Sequence, residues 1–312
     1  MEGAIDVCPD TDATVETPHD PDTPETETTT RSESTVHTCQ TCGGAVIFVG
    51  QALSERCAYC DGPVVVGQAD TGFDALGLIP FQITESAARA QIADWAKARV
   101  AAPGNLADAV ARGRIVGLYA PFFTFDSHEA VSFWATFRQQ MGKRSITRRY
   151  EGDMDIRFDD LLVPASPHIT PILRDGVLHD FDPKTLTPYQ PAFLAGFAAE
   201  RHHLTVDEGL KANASDKDLL IRNRIQRSTS KRLRNIKYRT TTSGIHYRRI
   251  LLPMWIVHYE HGGKAYKAVS CGMRGTTFGE RPFAVAKLVA YSAWISALAL
   301  GVGVVWSVLG LP

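Results

Sequence analysis

Residues 1–36 hold almost no large apolar side chains and almost no bases. Arg31 stands alone against ten acids: Glu2, Asp6, Asp10, Asp12, Glu16, Asp20, Asp22, Glu25, Glu27 and Glu33. A Thr/Pro/Asp/Glu-rich stretch of this kind cannot bury enough surface to offset chain entropy, which predicts a disordered acidic tail over 1–36. The opening residues also lack the basic and then apolar segments of a secretory signal, so the expectation is a body that is not exported. Catalytic signatures are scarce as well. MGKRS (141–145) lacks the earlier glycine of a P-loop, DEGL (207–210) lacks the companions an ATPase needs, and His258, Glu260 and His261 do not have HExxH spacing. The acids Asp153, Asp155, Asp159 and Asp160 read as a solvated loop. No nucleophile-and-base set emerges from spacing, and the expectation is a protein that is not an enzyme.

Cysteine is sparse too, and its pattern is metal-site usage more than a disulfide framework, which suits a reducing compartment. Of six cysteines, four form two CxxC pairs, Cys39/Cys42 and Cys57/Cys60, leaving Cys8 and Cys271 apart. Thiolates two residues apart can grip one tetrahedral ion from a tight turn, and four soft thiolates favour Zn2+. Gly43, Gly44 and Gly62 let backbone amides turn toward the sulfurs. The two pairs flank a hairpin that includes the β-type run Val46 to Val49, whereas a thioredoxin-like redox site has a single pair at a helix start. The expectation is a zinc ribbon over 37–70, with His37 as an alternative ligand.

An α+β body is expected over 71–282, with an internal echo. LGLIPFQI (76–83) precedes a helix with Ala88, Ile92, Trp95 and Ala96 on one face; LYAPFFTF (118–125) reads as a strand and AVSFWATF (130–137) as its return. YQPAFLAGF (189–197) precedes a helix opened by the capping box Thr205-x-x-Glu208, and ILLPMWIV (250–257) with KAYKAVS (264–270) makes another hairpin. Pro121 aligns with Pro253, which predicts two strand-helix-hairpin units. The alternative is that proline-bearing edge strands recur by chance.

Leu288 to Leu311 runs without a charge and is long enough to cross a bilayer, which predicts a single C-terminal transmembrane helix within 283–312. Arg274, Arg281 and Lys287 precede it, so the positive-inside rule predicts a cell-membrane protein with its N-terminal body in the cytoplasm. Ala293, Ala297 and Gly301 form a small-xxx-small pattern suited to helix association. Bases crowd into 217–239. On a helix, Arg224, Arg227, Lys231 and Arg234 would make one stripe for anionic lipid headgroups or nucleic acid, with Ile221, Ile225, Leu233 and Ile236 on another face. A plain solvated helix face is the competing reading.

Taken together, the two CxxC knuckles, IPFQI (79–83), GLYAPFF (117–123), LLVPAS (161–166), PYQPAFLAGFAAER (188–201), LLPMW (251–255) and GERPF (279–283) resemble a bacterial family of membrane-anchored TFIIB-type zinc-ribbon proteins. That family is loosely labelled primosomal protein N-prime-like. Its members tend to have tryptophan where this chain has Phe123 and glycine where it has Asp61. The resemblance implies a membrane adaptor in envelope stress, with SPFH or phage-shock-protein-A-like proteins as partners. A membrane-tethered nucleic-acid-binding protein is the alternative.

Overall fold

The computed structural model describes residues 15–29, 34–49, 56–66, 71–98, 101–142, 144–178, 181–194 and 196–309. Short strands come first: β1 (Thr17–Pro18), β2 (Thr28–Thr29), β3 (Ser34–Cys39), β4 (Ala45–Val49), β5 (Val64–Val66), β6 (Thr71–Gly72) and β7 (Gly77–Leu78). Helices α1 (Glu85–Lys97) and α2 (Leu106–Arg112) lead into the long strands β8 (Arg114–Met141) and β9 (Arg144–Pro164). After α3 (Pro171–Val177), β10 (Thr187–Pro188) and β11 (Ala198–Ala199) come α4 (Val206–Ala212) and α5 (Ala214–Arg227). The chain ends with β12 (Leu233–His261), β13 (Lys264–Cys271), β14 (Thr277–Gly279) and α6 (Val285–Leu309).

The centre is an antiparallel ladder of β8 against β12, running from the pair Arg114/His258 to the pair Phe137/Leu233. β8 is one uninterrupted strand, which corrects the expectation of a strand at 118–125 returning at 130–137. The polar residues 126–129 look like a turn in sequence, but Glu129 is fully buried and satisfied laterally. Lys217 pairs with it, and the hydroxyls of Thr240 and Thr242 each donate to it at 2.8 Å. A buried carboxylate with that many donors can stay inside a strand. The true return of β8 is β9, which begins with Arg144 opposite Met141; Lys143 of MGKRS lies outside the described residues. Asp153, Asp155 and Asp159 lie on β9 with exposed side chains, so the acidic run is a strand face and not a loop.

Pro121 and Pro253 sit in the two central strands, not at edges. Each occupies a seam. The outer edge of β8 pairs in parallel with β11 at Leu118 and Tyr119, then antiparallel with β9 from Phe122 onward. The outer edge of β12 pairs in parallel with β7 at Ile250 and Leu251, then antiparallel with β13 from Met254 onward. The proline carbonyls accept N–H groups across these edges, from Ala165 to Pro121 (3.0 Å) and from Gly272 to Pro253 (2.8 Å). A donor on the same edge would face the gap between two neighbours, and proline has none to leave unmet. One sequence offset thus carries Pro121 onto Pro253 and both of its neighbouring strand junctions onto those of Pro253.

Helices follow the expected faces. Ala88, Ile92 and Ala96 of α1 are buried, Ile92 and Ala96 pack with α2 on Val257 and Tyr259, and the Thr205/Glu208 capping box opens α4. α5 covers one face of a three-stranded arm formed by β9, β8 and the first half of β12, burying Ile221 and Ile225 with Phe133 and Leu233. α6 departs from the opposite end. Ala284 N–H donates to the Ala101 carbonyl at 2.8 Å, and Lys287 Nζ donates to Ala102 at 2.7 Å. Among the described residues it is the one helix long and apolar enough to cross a membrane, and Val285–Val302 is nowhere buried.

Residues 15–29 correct the expectation of a free tail in that stretch, while 1–14 and 30–33 lie outside the described residues. β1 pairs with β12 at His246 and Tyr247, Glu16 pairs with Arg248, and Glu25 pairs with Arg249 at 2.7 Å. The acids that forbid a core of their own find buried arginines on the body.

His202 sits beside this strap, fully buried, with Nε2 donating to the Phe122 carbonyl at 2.9 Å. Burial, reinforced by Arg249 and other nearby cations, holds it down to about 3. The unfolded chain takes up a proton at an ordinary pKa of about 6.5 that the folded chain refuses. Stability from this group is therefore complete above that value and is lost as pH falls toward the folded pKa. Denaturant titrations in detergent should show the wild type losing up to about 1.4 kcal/mol more per pH unit than His202→Gln between roughly pH 6 and 4. Equal slopes would contradict the assignment.

Candidate metal centre and the surfaces around it

Each CxxC pair closes a tight turn with the same hydrogen bonds. In the first, Cys39 accepts at its carbonyl from Gly43 (3.0 Å), donates its N–H to Gly44 (2.9 Å), and takes the Thr41 amide on Sγ (3.3 Å). In the second, Cys57 does the same with Asp61 (3.0 Å), Gly62 (2.8 Å) and the Tyr59 amide (3.4 Å). The residue after each pair is left-handed, Gly43 at φ 73° and Asp61 at φ 59°. Aspartate tolerates that conformation better than most residues with a Cβ. Here Arg114 also holds its carboxylate at 2.6 Å, and Arg56 approaches at 3.4 Å. Gly62 allows the turns to meet, because a Cβ there would lie 2.4 Å from Thr41 Oγ1 and 3.2 Å from Cys39 Sγ.

The four Sγ atoms lie within 4.8 Å of one another, with Cys39 to Cys60 at 3.5 Å and Cys42 to Cys57 at 3.7 Å. Tetrahedral Zn–S bonds of about 2.3 Å imply sulfur separations of roughly 3.8 Å, and a disulfide needs about 2.05 Å. The cluster has the dimensions of a four-thiolate metal site. His37 is buried on β3 but does not belong to the cluster. Burial opposes ionising Cys39, but the Cys42 and Thr41 amides outweigh it and bring that thiol down to about 7. Burial pushes Cys57 up, and Cys60 up to about 11. A dication would have to displace those protons, so affinity falls as pH is lowered.

The metal centre is built into the body. β4 pairs with β11 and thereby extends the central sheet, and Cys39, Val46, Cys57, Ala58 and Tyr59 share one apolar core with Leu118, Phe122 and Ile250. Around the second knuckle, Tyr59 hydroxyl donates to buried Glu200, His258 Nε2 donates to the Ala58 carbonyl at 2.8 Å, and the Tyr59 ring packs on His168 at 4.5 Å. Sequence reasoning missed these positioning residues. They lie far from the cysteines in the chain, and no spacing rule connects them.

The basic stripe needs correction. α5 ends at Arg227, where Ser228 hydroxyl back-bonds to the Ile225 carbonyl at 2.8 Å, and β12 begins at Leu233. The run Ser228-Thr229-Ser230 offers the backbone side-chain partners in place of another helical turn. Arg224 and Arg227 therefore lie on α5, Lys231 on the turn, and Arg234 on β12 opposite Thr136. All four side chains are exposed, with the Lys231 ammonium 4.4 Å from the Phe137 ring and 4.9 Å from Tyr150. Ile221, Ile225, Leu233 and Ile236 do gather in one cluster, from a helix and a strand together. Exposed Arg138, Arg148 and Arg149 join the same end of the arm from β8 and β9, near Phe137 and Thr136 in the ladder. RSITRRY (144–150) was the available signal for the last two.

Fold and site define an α+β protein with a four-cysteine cluster able to hold a metal ion and one apolar C-terminal helix. No family model matches the sequence, and no solved structure matches it. Among curated proteins the chain is similar to the uncharacterized protein YdjG of Bacillus subtilis (strain 168), with 27% identity over 238 residues, covering 72% of this chain and 67% of that one.

The centre predicts one metal ion per chain, lost in the variant Cys57→Ser with Cys60→Ser, and metal analysis under reducing conditions measures it. Gly62→Ala should weaken retention against a chelator, while Gly104→Ala, where a Cβ meets nothing within 4 Å, should leave retention unchanged.

Proposed function

We propose that this chain is a non-enzymatic membrane adaptor, anchored by α6 with its body in the cytoplasm, in which Zn2+ is structural. The observation that carries this reading is the closure of the thiol cluster. Four sulfurs, backed by backbone amides and partly sunk in the core that β8 and β12 share, fill a tetrahedral ion's coordination and leave no position for substrate. The exposed apolar α6 needs a cover, and lipid provides one for a helix of about 37 Å at 1.5 Å per residue. Arg281 and Lys287, tied to the carbonyls of Trp95 and Ala102, stand at its body end, in keeping with a cytoplasmic body. By resemblance the partners are SPFH or phage-shock-protein-A-like proteins acting in envelope stress.

We also propose that the body is a tandem duplication. The offset relating the two prolines supports it, as do the helix caps: Thr84 accepts the Ala87 N–H and Thr205 the Glu208 N–H, each at 3.3 Å and each at the same interval after its short parallel strand. The repeat begins at β7 and β11, so Ala198–Ala199, and not YQPAFLAGF, is the counterpart of LGLIPFQI.

The basic end of the arm is the surface we assign to an anionic partner, with lipid headgroups favoured over nucleic acid. Deleting 285–312 should release a soluble body. Glutamate at Arg224, Arg227, Lys231 and Arg234 should then remove about 1 kcal/mol per residue from its binding to anionic vesicles, an effect that fades with salt. Metal content should not change. Binding to DNA or RNA with a steep salt slope, and none to vesicles, would favour the tethered nucleic-acid reading. A truncated chain that still sediments with membranes at high salt, where the basic end no longer holds it, would remove α6 as the anchor.

A further inference from the structure

The strap over residues 15–29 crosses β12 on a site that is more elaborate than a packing contact. Arg248 and Arg249 are 5% and 9% exposed, adjacent in sequence, and aimed to opposite faces of the strand as the alternation of β structure requires. Arg248 Nη2 binds Glu16 and, at 2.8 Å, Asp160. Arg249 Nη2 binds Glu25 at 2.7 Å while its guanidinium lies 4.2 Å from the Phe73 ring and 5.3 Å from Tyr247. The Val206 N–H reaches the same Glu25 carboxylate at 3.1 and 3.3 Å. Two carboxylates of an extended segment are thus read at two fixed points, and β1 adds main-chain pairing to β12 between them.

The strap fits this site incompletely. Among the described residues, Arg248 Nε and Nη1 and Arg249 Nε are buried without a hydrogen-bond partner while the strap is in place. Buried guanidinium donors are costly to leave unmet, and an occupant with further acceptors would bind better. The strap is also held without a core of its own. Every side chain in 15–27 is exposed or half-buried, and the β pairing is confined to two residues near each end, Thr17–Pro18 on β12 and Thr28–Thr29 on β6. The strap's side-chain contacts are mostly charged, and salt weakens the approach of an acidic segment to them although the bound pairs are partly shielded.

We propose that residues 15–29 are an exchangeable occupant of an acidic-peptide groove on β12, and that the groove's other occupant is an extended, acidic segment of a partner protein, bound through Arg248 and Arg249. The proposal rests on the adaptor reading, for which it supplies a class of partner. The strap is then a tethered competitor, and its removal raises the site's availability to the partner.

The test uses the full chain in detergent and a fluorescent peptide of residues 15–29 as probe. Glu16→Gln with Glu25→Gln loosens the tethered strap but leaves both arginines. The acidic peptide should bind this variant at least tenfold tighter than the wild type, with affinity falling as salt rises. The peptide carrying glutamine at both positions should not bind. Failure of the acidic peptide to bind a variant that retains its metal and its thermal transition would overturn the proposal, and so would equal binding of both peptides. A protease site placed at 30–33 in the otherwise wild-type chain gives a second reading independent of the double variant. After cleavage the strap fragment should exchange with labelled peptide, and a fragment that never exchanges at elevated salt overturns the proposal. A dimer of the wild type that disappears in the double variant would assign the groove to a second copy of this chain and overturn the partner reading. Fractionation of the full chain tests the membrane setting separately, so failure of the anchor and failure of the groove give different results.

Discussion

The pairing of β8 with β12 is the constraint on which the remaining structure depends. These strands of 28 and 29 residues stay in antiparallel register from Arg114/His258 to Phe137/Leu233, with irregularities only at 234–237 and 243–246. A slip of one residue would turn every side chain on one strand to the opposite face. It would also move both prolines off their seams, so that strand N–H groups and proline rings would fall in the wrong places. The short parallel strands β7 and β11 and the hairpin strands β9 and β13 can attach only because each seam is where it is. The metal knuckles and the N-terminal strap attach in turn to those edges.

Against that frame the thiol cluster acts as a clamp between the ribbon and the sheet. Cys57 and Tyr59 lie in the same apolar core as Leu118 and Ile250, and the second knuckle is held by groups from β8, β12 and the residue after β11: Arg114, His258 and Glu200. An ion held there would therefore fix more than the two knuckles. It would fix the surface onto which Ala58 and Tyr59 dock, and through β4 and β11 its effect would reach the edge of the central ladder. A ribbon tethered by a linker could lose its ion with little effect on a neighbouring domain, whereas this one shares its core with the body.

Features with short-range causes were legible in the sequence. The CxxC spacing, the Thr205 capping box, the buried face of α1 and the apolar terminal helix all depend on residues within a turn or two of one another. What escaped depends on lateral partners distant in the chain. Residues 126–129 read as a turn because nothing nearby says that Lys217, Thr240 and Thr242 will meet Glu129. Residues 15–29 read as a free tail because composition argues against a core, and composition cannot register that Arg248 and Arg249 await two of its acids. The basic residues were read as one helical stripe because their spacing matches a helix; three consecutive hydroxyl residues after Arg227 divide them between helix, turn and strand. In each case a lateral partner or a break in the helix, neither of which local spacing registers, decided where the residues lie.

The long ladder also gives the protein a direction. α6 is rooted where β12 ends, beside the loop between α1 and α2, while the bases gather where β12 begins. At about 3.3 Å per residue, β12 separates the two by on the order of 80 Å. That is several Debye lengths at physiological salt, so headgroups around a membrane-inserted α6 would exert almost no pull on Arg234 or Lys231 while the arm points away. Under the proposed anchoring, attraction would begin only when the ladder lies along the surface, and would then grow with each base brought within a Debye length. The strap at Arg248 and Arg249 lies between these ends on the same strand. Whatever occupies that groove is thereby placed at an intermediate position along β12, by a strand whose register is already fixed by its pairing with β8.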